Sequence, residues 1–220
     1  MKIVFKFIND SIELSSDYIS SIVIENQDCF FSAVNDFISQ DKSAETKLLI
    51  DCDVLPLSKK VETIIDFTNI SLNNKKIQSR ILSSLEEYSK DGENFIRTQE
   101  ILSQLNKYLQ ELSEILPYGI EAKDLTFASI LKSIGIKVVE DESPPIERLL
   151  QYMDFIRDLE GEKLFVLINL RSFFSDDVIE SFYRMCEMKK FYVLLIESTS
   201  RKRLYNEKIH VLDSDMCYFV

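Results

Sequence analysis

The chain has 220 residues, 45% hydrophobic and 29% charged, which suits one ordinary domain plus an excursion, with apolar content ample for a core that needs no covalent staples. Its formal net charge is −11, from 26 Lys and Arg against 37 Asp and Glu, and that average taken alone argues against nucleic acid as a partner. The four glycines, Gly92, Gly119, Gly135 and Gly161, leave nowhere to write a Walker phosphate loop or a dinucleotide-binding turn, which argues against ATP or NAD use.

In chain order, residues 1–9 run straight into an alternating strand, expected over 2–8, without a signal-peptide apolar core. A strand over 22–25 follows, then a helix over about 28–40 with Asp28 as its cap and Phe30, Val34, Phe37 and Ile38 on one face, then a strand over 47–50. After Pro56 the character changes, and residues 73–116 read almost entirely as helix. Ile77, Ile81, Leu85 and Tyr88 form one stripe and residues 90–94 a break; Leu102, Leu105, Leu109, Leu112 and Leu116 then form a seam spaced three, four, three, four. Two such helices joined by a short polar loop make an antiparallel arm, with a narrow apolar face suited to a protruding leg.

The arm is expected to end at Pro117-Tyr-Gly119, followed by a short helix over 124–134 closed by Gly135 and a further short strand before Glu140. Ser143-Pro144-Pro145 opens a helix that buries Leu149, Met153 and Ile156 until Gly161. Residues 164–168 and 191–197 are unbroken apolar runs, which read as buried parallel strands joined by a crossover helix. A last strand is expected over 208–212. The predicted fold class is α/β: a partly parallel sheet in a head built from 1–58 and 119–220, with a helical leg, 59–118, inserted between them.

The strand over 164–168 ends in Asn169, where many nucleotide-hydrolysing α/β proteins carry an acid that helps place magnesium and water. The single histidine, His210, rules out triads and two-histidine metal sites and reads as structural or solvent-facing. Cys29, Cys52, Cys186 and Cys217 are scattered, spell neither a zinc ribbon nor a redox motif, and read as reduced core thiols. Glu121-Ala-Lys123 and Glu187-Met-Lys189 match a nuclease-like Glu-x-Lys by letters, but in loop or helix-end contexts. No apolar run approaches the roughly 18 residues of a membrane span, so a cytoplasmic protein without a membrane partner is expected.

The charge is unevenly distributed. Residues 56–85 hold Lys59, Lys60, Lys75, Lys76 and Arg80 against Glu62 and Asp66, a local charge of +3 that leaves −14 on the rest. A basic strip binds a polyanion through counterion release even on an acidic protein; the same lysines also suit the solvated face of a helix. Glu121 and Asp124, three apart, together with residues 140–142, offer hard oxygen ligands of the kind calcium takes, and equally a helix cap and a solvated acidic turn.

Several blocks together resemble the CRISPR-associated ring protein of type II-A systems, the Csn-two family. They are Val23-Ile-Glu-Asn26, residues 66–80, Ile130-Leu-Lys-Ser-Ile-Gly-Ile-Lys137, residues 163–174 and residues 208–217, and they run in family order across nearly the whole chain. The resemblance implies a non-enzymatic protein of spacer acquisition, a homotetrameric ring around a basic hole. Such rings load onto double-stranded DNA ends without reading sequence and associate with the CRISPR integrase and the guide-RNA effector nuclease. The head of the family resembles a nucleoside-triphosphatase fold without its phosphate loop. The resemblance also implies calcium, with Glu121 and Asp124 at positions of calcium-linked carboxylates; Lys123 and Ser129 stand where other members carry acids, so fewer or weaker sites are expected here.

For DNA, the candidates chosen by charge and position are Lys59, Lys60, Lys75, Lys76, Arg80, Lys132 and Lys137. Arg171 and the run Arg201-Lys-Arg203 suit DNA or a neighbouring subunit equally. Two other classes stay open: a protein-interaction scaffold pairing through the leucine seam, and a metal-dependent nuclease.

Overall fold

The computed structural model of the chain describes residues 1–41, 44–51, 53–115, 118, 125–140 and 142–220. Among them the elements run β1 (Lys2–Val4), β2 (Ile12–Glu13), β3 (Ile19–Ile24), α1 (Gln27–Ser39), β4 (Lys47–Ile50), β5 (Asp53–Leu55), α2 (Leu57–Lys60), β6 (Val61–Ile64), α3 (Lys75–Ser89), α4 (Gly92–Ser113), α5 (Phe127–Ile134), α6 (Pro145–Glu160), β7 (Leu164–Ile168), α7 (Asp176–Met188), β8 (Tyr192–Glu197), β9 (Glu207–Leu212) and β10 (Tyr218–Phe219). They group into two units: a head, Met1–Ile70 with Ser143–Val220, and a helical unit, Ser71–Glu142.

Among the described residues the head holds two sheets, ordered β10-β9-β3-β8-β7-β6 and β2-β1-β4-β5. In the larger, β6, β7, β8, β3 and β9 are parallel, with Val166 paired to Thr63 on one side and Leu194 on the other; the smaller is antiparallel throughout. Every residue of β3 and β7 is buried, as a parallel sheet covered on both faces requires. On one face, Ile22, Ile24, Leu164, Val166, Leu194 and Ile196 share a core with Ile3, Phe5 and Leu48 around the small sheet and with Ala33 and Phe37 of α1. On the other, Tyr152 of α6 donates to the buried Glu62 carboxylate at 2.6 Å, and Phe165 meets Phe191 edge-on at 5.4 Å. The period-two alternation of β6 sends Glu62 to that face and Thr63 to the first, where its hydroxyl donates to the Phe37 carbonyl of α1 at 2.9 Å.

Several expected boundaries move for local reasons. The first strand stops at Val4 because the chain turns back, Ile8 N donating to Phe5 O at 3.2 Å. The cap of α1 is Asn26, whose side chain accepts from Cys29 N, rather than Asp28 in the first turn. Residues 136–140 form no strand. The expected leg of 59–118 shifts to the unit Ser71–Glu142: β6 pairs with β7 and so places Val61–Ile64 in the head sheet, whereas α5 packs on α3. The thiols divide as well, with Cys186 buried, Cys29 half-buried and Cys217 exposed; Cys52 lies outside the described residues.

In the helical unit, α3 and α4 pack on each other across the two-residue break Lys90-Asp91. The leucine seam is not buried there: Leu105, Leu109 and Leu112 are each close to 40% exposed, and α4 has no buried residue. Part of the reason is length, because α4 has 22 residues and α3 only 15, so α4 outruns its partner by roughly 10 Å at 1.5 Å per residue. Leu116, the last residue of the expected seam, is outside the described residues.

Candidate functional site

At the C-terminal end of the parallel sheet, where α/β proteins commonly bind ligands, Asn169 takes a left-handed conformation (φ 55°, ψ 33°), which Asn tolerates better than most residues. Its backbone N donates to Ile196 O at 2.8 Å, and its side-chain Oδ1 accepts from Ser198 N at 2.9 Å and Ser198 Oγ at 3.0 Å. The oxygen that would face a metal in a hydrolase is thus engaged in stitching the end of β7 to the end of β8.

Beside it lies a buried charged network. Arg171 is 4% exposed; its guanidinium reaches Glu207 Oε2 at 3.6 Å and Asp176 Oδ1 at 3.2 Å and donates to Lys202 O at 2.8 Å. Glu207, fully buried, accepts from the Tyr183 hydroxyl at 3.1 Å and from Leu204 N at 3.0 Å. Burial, then the Glu207 charge, pushes the Tyr183 phenol well above its ordinary range. Glu197 accepts from Arg171 N at 3.1 Å through one oxygen, while its other oxygen has no hydrogen-bond partner among the described residues. Burial raises its carboxyl to about 7, against the opposing hydrogen bond and charge of Arg171. These charges fasten the helix-free crossover 198–206 to the sheet. Arg171 is therefore no surface contact for DNA or a subunit, while Arg201, Lys202 and Arg203 on that crossover remain exposed. His210 is structural: its Nδ1 lies 2.6 Å from the Tyr218 hydroxyl, and burial, then the Lys208 charge, lowers its pKa.

In the helical unit, Asn74 caps α3 by accepting from Ile77 N at 2.9 Å. Asn73, one residue earlier, clamps residues 136–140: it exchanges two hydrogen bonds with the backbone of Val138, both at 2.9 Å, and donates to Glu140 at 2.9 Å. Glu140 also accepts from Ser71 Oγ at 3.1 Å and from the Leu72 backbone N–H. Five of the seven expected DNA residues belong to this helical unit, and two of them, Lys132 and Lys137, face α3 across one cavity. Lys75 and Lys76 stand in the first turn of α3 and Arg80 one turn on, while Lys132 of α5 and Lys137 of the clamped segment line a cavity of about 130 Å³ with Gln78 of α3. Lys75, Lys76, Lys132 and Lys137 are exposed. Residues 67–85 and 125–139 contain these five basic side chains and no acidic one, so the basic patch is acid-free along both segments. Carboxylates border the two segments: Glu140 in the clamp itself, and Glu86, whose carboxyl is lowered chiefly by its bond to Lys90 and further by Lys132.

Lys59 and Lys60 close α2 and belong to the head. Glu121 and Asp124 lie outside the described residues, as do Lys123 and Asp141; among the described residues no three His, Cys, Asp or Glu side chains group as metal ligands. Lys189 of the Glu187-Met-Lys189 match is ion-paired with Asp154 at 2.7 Å at the end of α7. The Asn73 and Glu140 clamp escaped sequence reasoning. Its one legible sign was an uncharged polar pair, Asn73-Asn74, directly before a helix.

Fold and site together define an α/β protein with a parallel sheet whose end carries Asn169 in place of an acid, and with a separate helical unit that holds Lys75, Lys76, Arg80, Lys132 and Lys137. The chain belongs to the family described as CRISPR-associated protein (Cas_Csn2), whose model matches residues 40–216, and its role is accordingly CRISPR-associated. In fold it is similar to Stu0660 of Streptococcus thermophilus, whose crystal structure matches with a TM-score of 0.60 and 17% identity over 97% of this chain and 74% of that one. A match to a Pyrococcus furiosus protein described as an ABC transporter (ATP-binding protein) has a TM-score of 0.39 and 11% identity over 91% of this chain and 88% of that one, too slight to bear on nucleotide use. No described helix is long and apolar enough to cross a membrane.

Proposed function

We propose that the protein is a non-catalytic, sequence-independent binder of double-stranded DNA ends, acting as a homotetrameric ring in spacer acquisition alongside the integrase and the guide-RNA effector nuclease. The observation that supports this reading is the run of Lys75, Lys76 and Arg80 on α3 together with Lys132 and Lys137, which face α3 across one cavity. Phosphate contact asks for charge density without competing carboxylates, not for a fixed spacing. The occupied Asn169 side chain supports binding over hydrolysis. Calcium belongs to the proposal through Glu121 and Asp124; it predicts a thermal shift on calcium addition that Glu121→Ala removes.

A second reading, an interaction scaffold without DNA contact, draws on the exposed apolar side chains of α4, Ile101, Leu105, Leu109 and Leu112. Gel mobility with linear and covalently closed DNA of one sequence separates the two. Retardation of the linear form alone is expected of a ring loading at ends. Equal retardation contradicts end loading, and no retardation of either form favours the scaffold. If each of the five cations answers one phosphate, the logarithm of the binding constant falls against log salt with a slope of about −4 or steeper.

A further inference from the structure

On the face of the head opposite the small sheet, α6 and α7 turn Leu149, Met153 and Ile156 of one and Ile179, Tyr183 and Cys186 of the other into the core. Their outer shoulders leave a groove of about 620 Å³. Ile146 and Leu150 of α6 and Val178 and Met185 of α7 are its half-exposed apolar lining, and Phe182, 1% exposed, is the floor between Val178 and Met185, the three at the i, i+4, i+7 spacing of one helical stripe. From Val178 to Lys189 the groove follows about three helical turns, roughly 16 Å.

Its rim is acidic and unevenly answered. Asp154 is paired with Arg157 and Lys189, both at 2.7 Å. Glu147 and Asp177, each in the first turn of its helix, have no ion-pair partner among the described residues. One end of an apolar groove is thus neutralised and the other presents two open carboxylates. Nucleic acid is repelled there, whereas an amphipathic helix with cations at one end is complementary in shape and in charge.

We propose that this groove docks an amphipathic helix of a partner protein, about three turns long, with apolar anchors at i, i+4 and i+7 and Lys or Arg clustered at one end. The chain's own helices are poor occupants in a second copy. α3 has a basic first turn, but its Ile77 is fully buried within its own unit, and α4 carries Glu111 and Glu114 at its end. The docking site does not depend on the DNA reading, since it lies in the head and uses none of the five clustered cations.

The test is fluorescence anisotropy with the full chain and three labelled 14-residue peptides. The first has Leu at i, i+4 and i+7 with a Lys-Arg cluster at one end; the second replaces the cluster by Glu, and the third replaces Leu by Ser. The first is expected to bind at least about tenfold more tightly than the others, and Glu147→Lys with Asp177→Lys to weaken it by about tenfold, with only the small drop in melting temperature that a reversed charge at two helix N-termini brings. Val178→Glu, at a partly exposed position, is expected to abolish binding without altering the size of the protein in sedimentation. Equal binding of the acidic peptide, indifference to the double variant, or no binding of the first peptide overturns the proposal. So does a change of oligomer size with Val178→Glu, which would mean that a second copy covers the groove.

Discussion

The head and the helical unit handle charge in opposite ways. In the head, Arg171, Glu197 and Glu207 are at most 4% exposed and hold a loop to a sheet through one another and through Tyr183. In the helical unit, Lys75, Lys76, Lys132 and Lys137 are exposed, in stretches from which every acid is missing. Buried charges with internal partners serve architecture, while exposed cations on a solvated face are accessible to a polyanion. The net charge of −11 averages over both and describes neither.

That contrast breaks most visibly at Arg171. Arg171→Met leaves Glu207 buried without its cation and is expected to lower stability by about 3–5 kcal/mol in denaturant unfolding, with DNA affinity unchanged in the folded fraction. Glu140→Ala removes the acceptor of the Leu72 N–H and of the Ser71 hydroxyl, and one of the two acceptors of the Asn73 amide. It is expected to cost about 1–3 kcal/mol, read by hydrogen exchange as lost protection at the start of α3 with the head strands unaffected.

The third effect is a pH dependence centred on Glu197, whose folded value of about 7 lies above the ordinary 4.5. Folding therefore favours its protonated form. The contribution is complete below the unfolded value and is lost as pH rises through the folded one, so stability falls between about pH 5 and pH 8 by on the order of 2 kcal/mol. Glu197→Gln keeps the shape without the charge and is expected to flatten that slope in thermal melts taken across the range. Smallest is Asn74→Ala, which removes the cap of α3 for about 1 kcal/mol.

Much of the head was legible because parallel strands announce themselves. The runs at Leu164–Ile168 and Tyr192–Glu197 are apolar throughout since both faces are covered, and Pro145 and Gly161 bracket α6. β6 was missed because Val61-Glu-Thr-Ile64 carries an acid whose partner, Tyr152, is 90 residues away. Periodicity cannot register such a pairing. The leucine spacing on α4 was read correctly as a stripe, but spacing does not say whether a partner covers it. Lys132 and Lys137, far from Lys75, Lys76 and Arg80 in sequence, share their helical unit because α5 and the Asn73 clamp fold them towards α3. Lys59 and Lys60 were grouped with the α3 cations only by nearness in sequence, and the turn into β6 sends them to the other unit.

The central claim, that the helical unit and not the head carries DNA, is tested most directly by titrating one linear duplex with two charge-removed variants. One replaces Lys75, Lys76, Arg80, Lys132 and Lys137 by Ala; the other replaces Arg201, Lys202 and Arg203, the exposed cations beside the sheet end. The expected result is a loss of about a hundredfold or more for the first, equivalent to about 2.7 kcal/mol, with a shallower salt slope, and near-native affinity for the second. Native affinity in the first variant, or the larger loss in the second, would contradict the account.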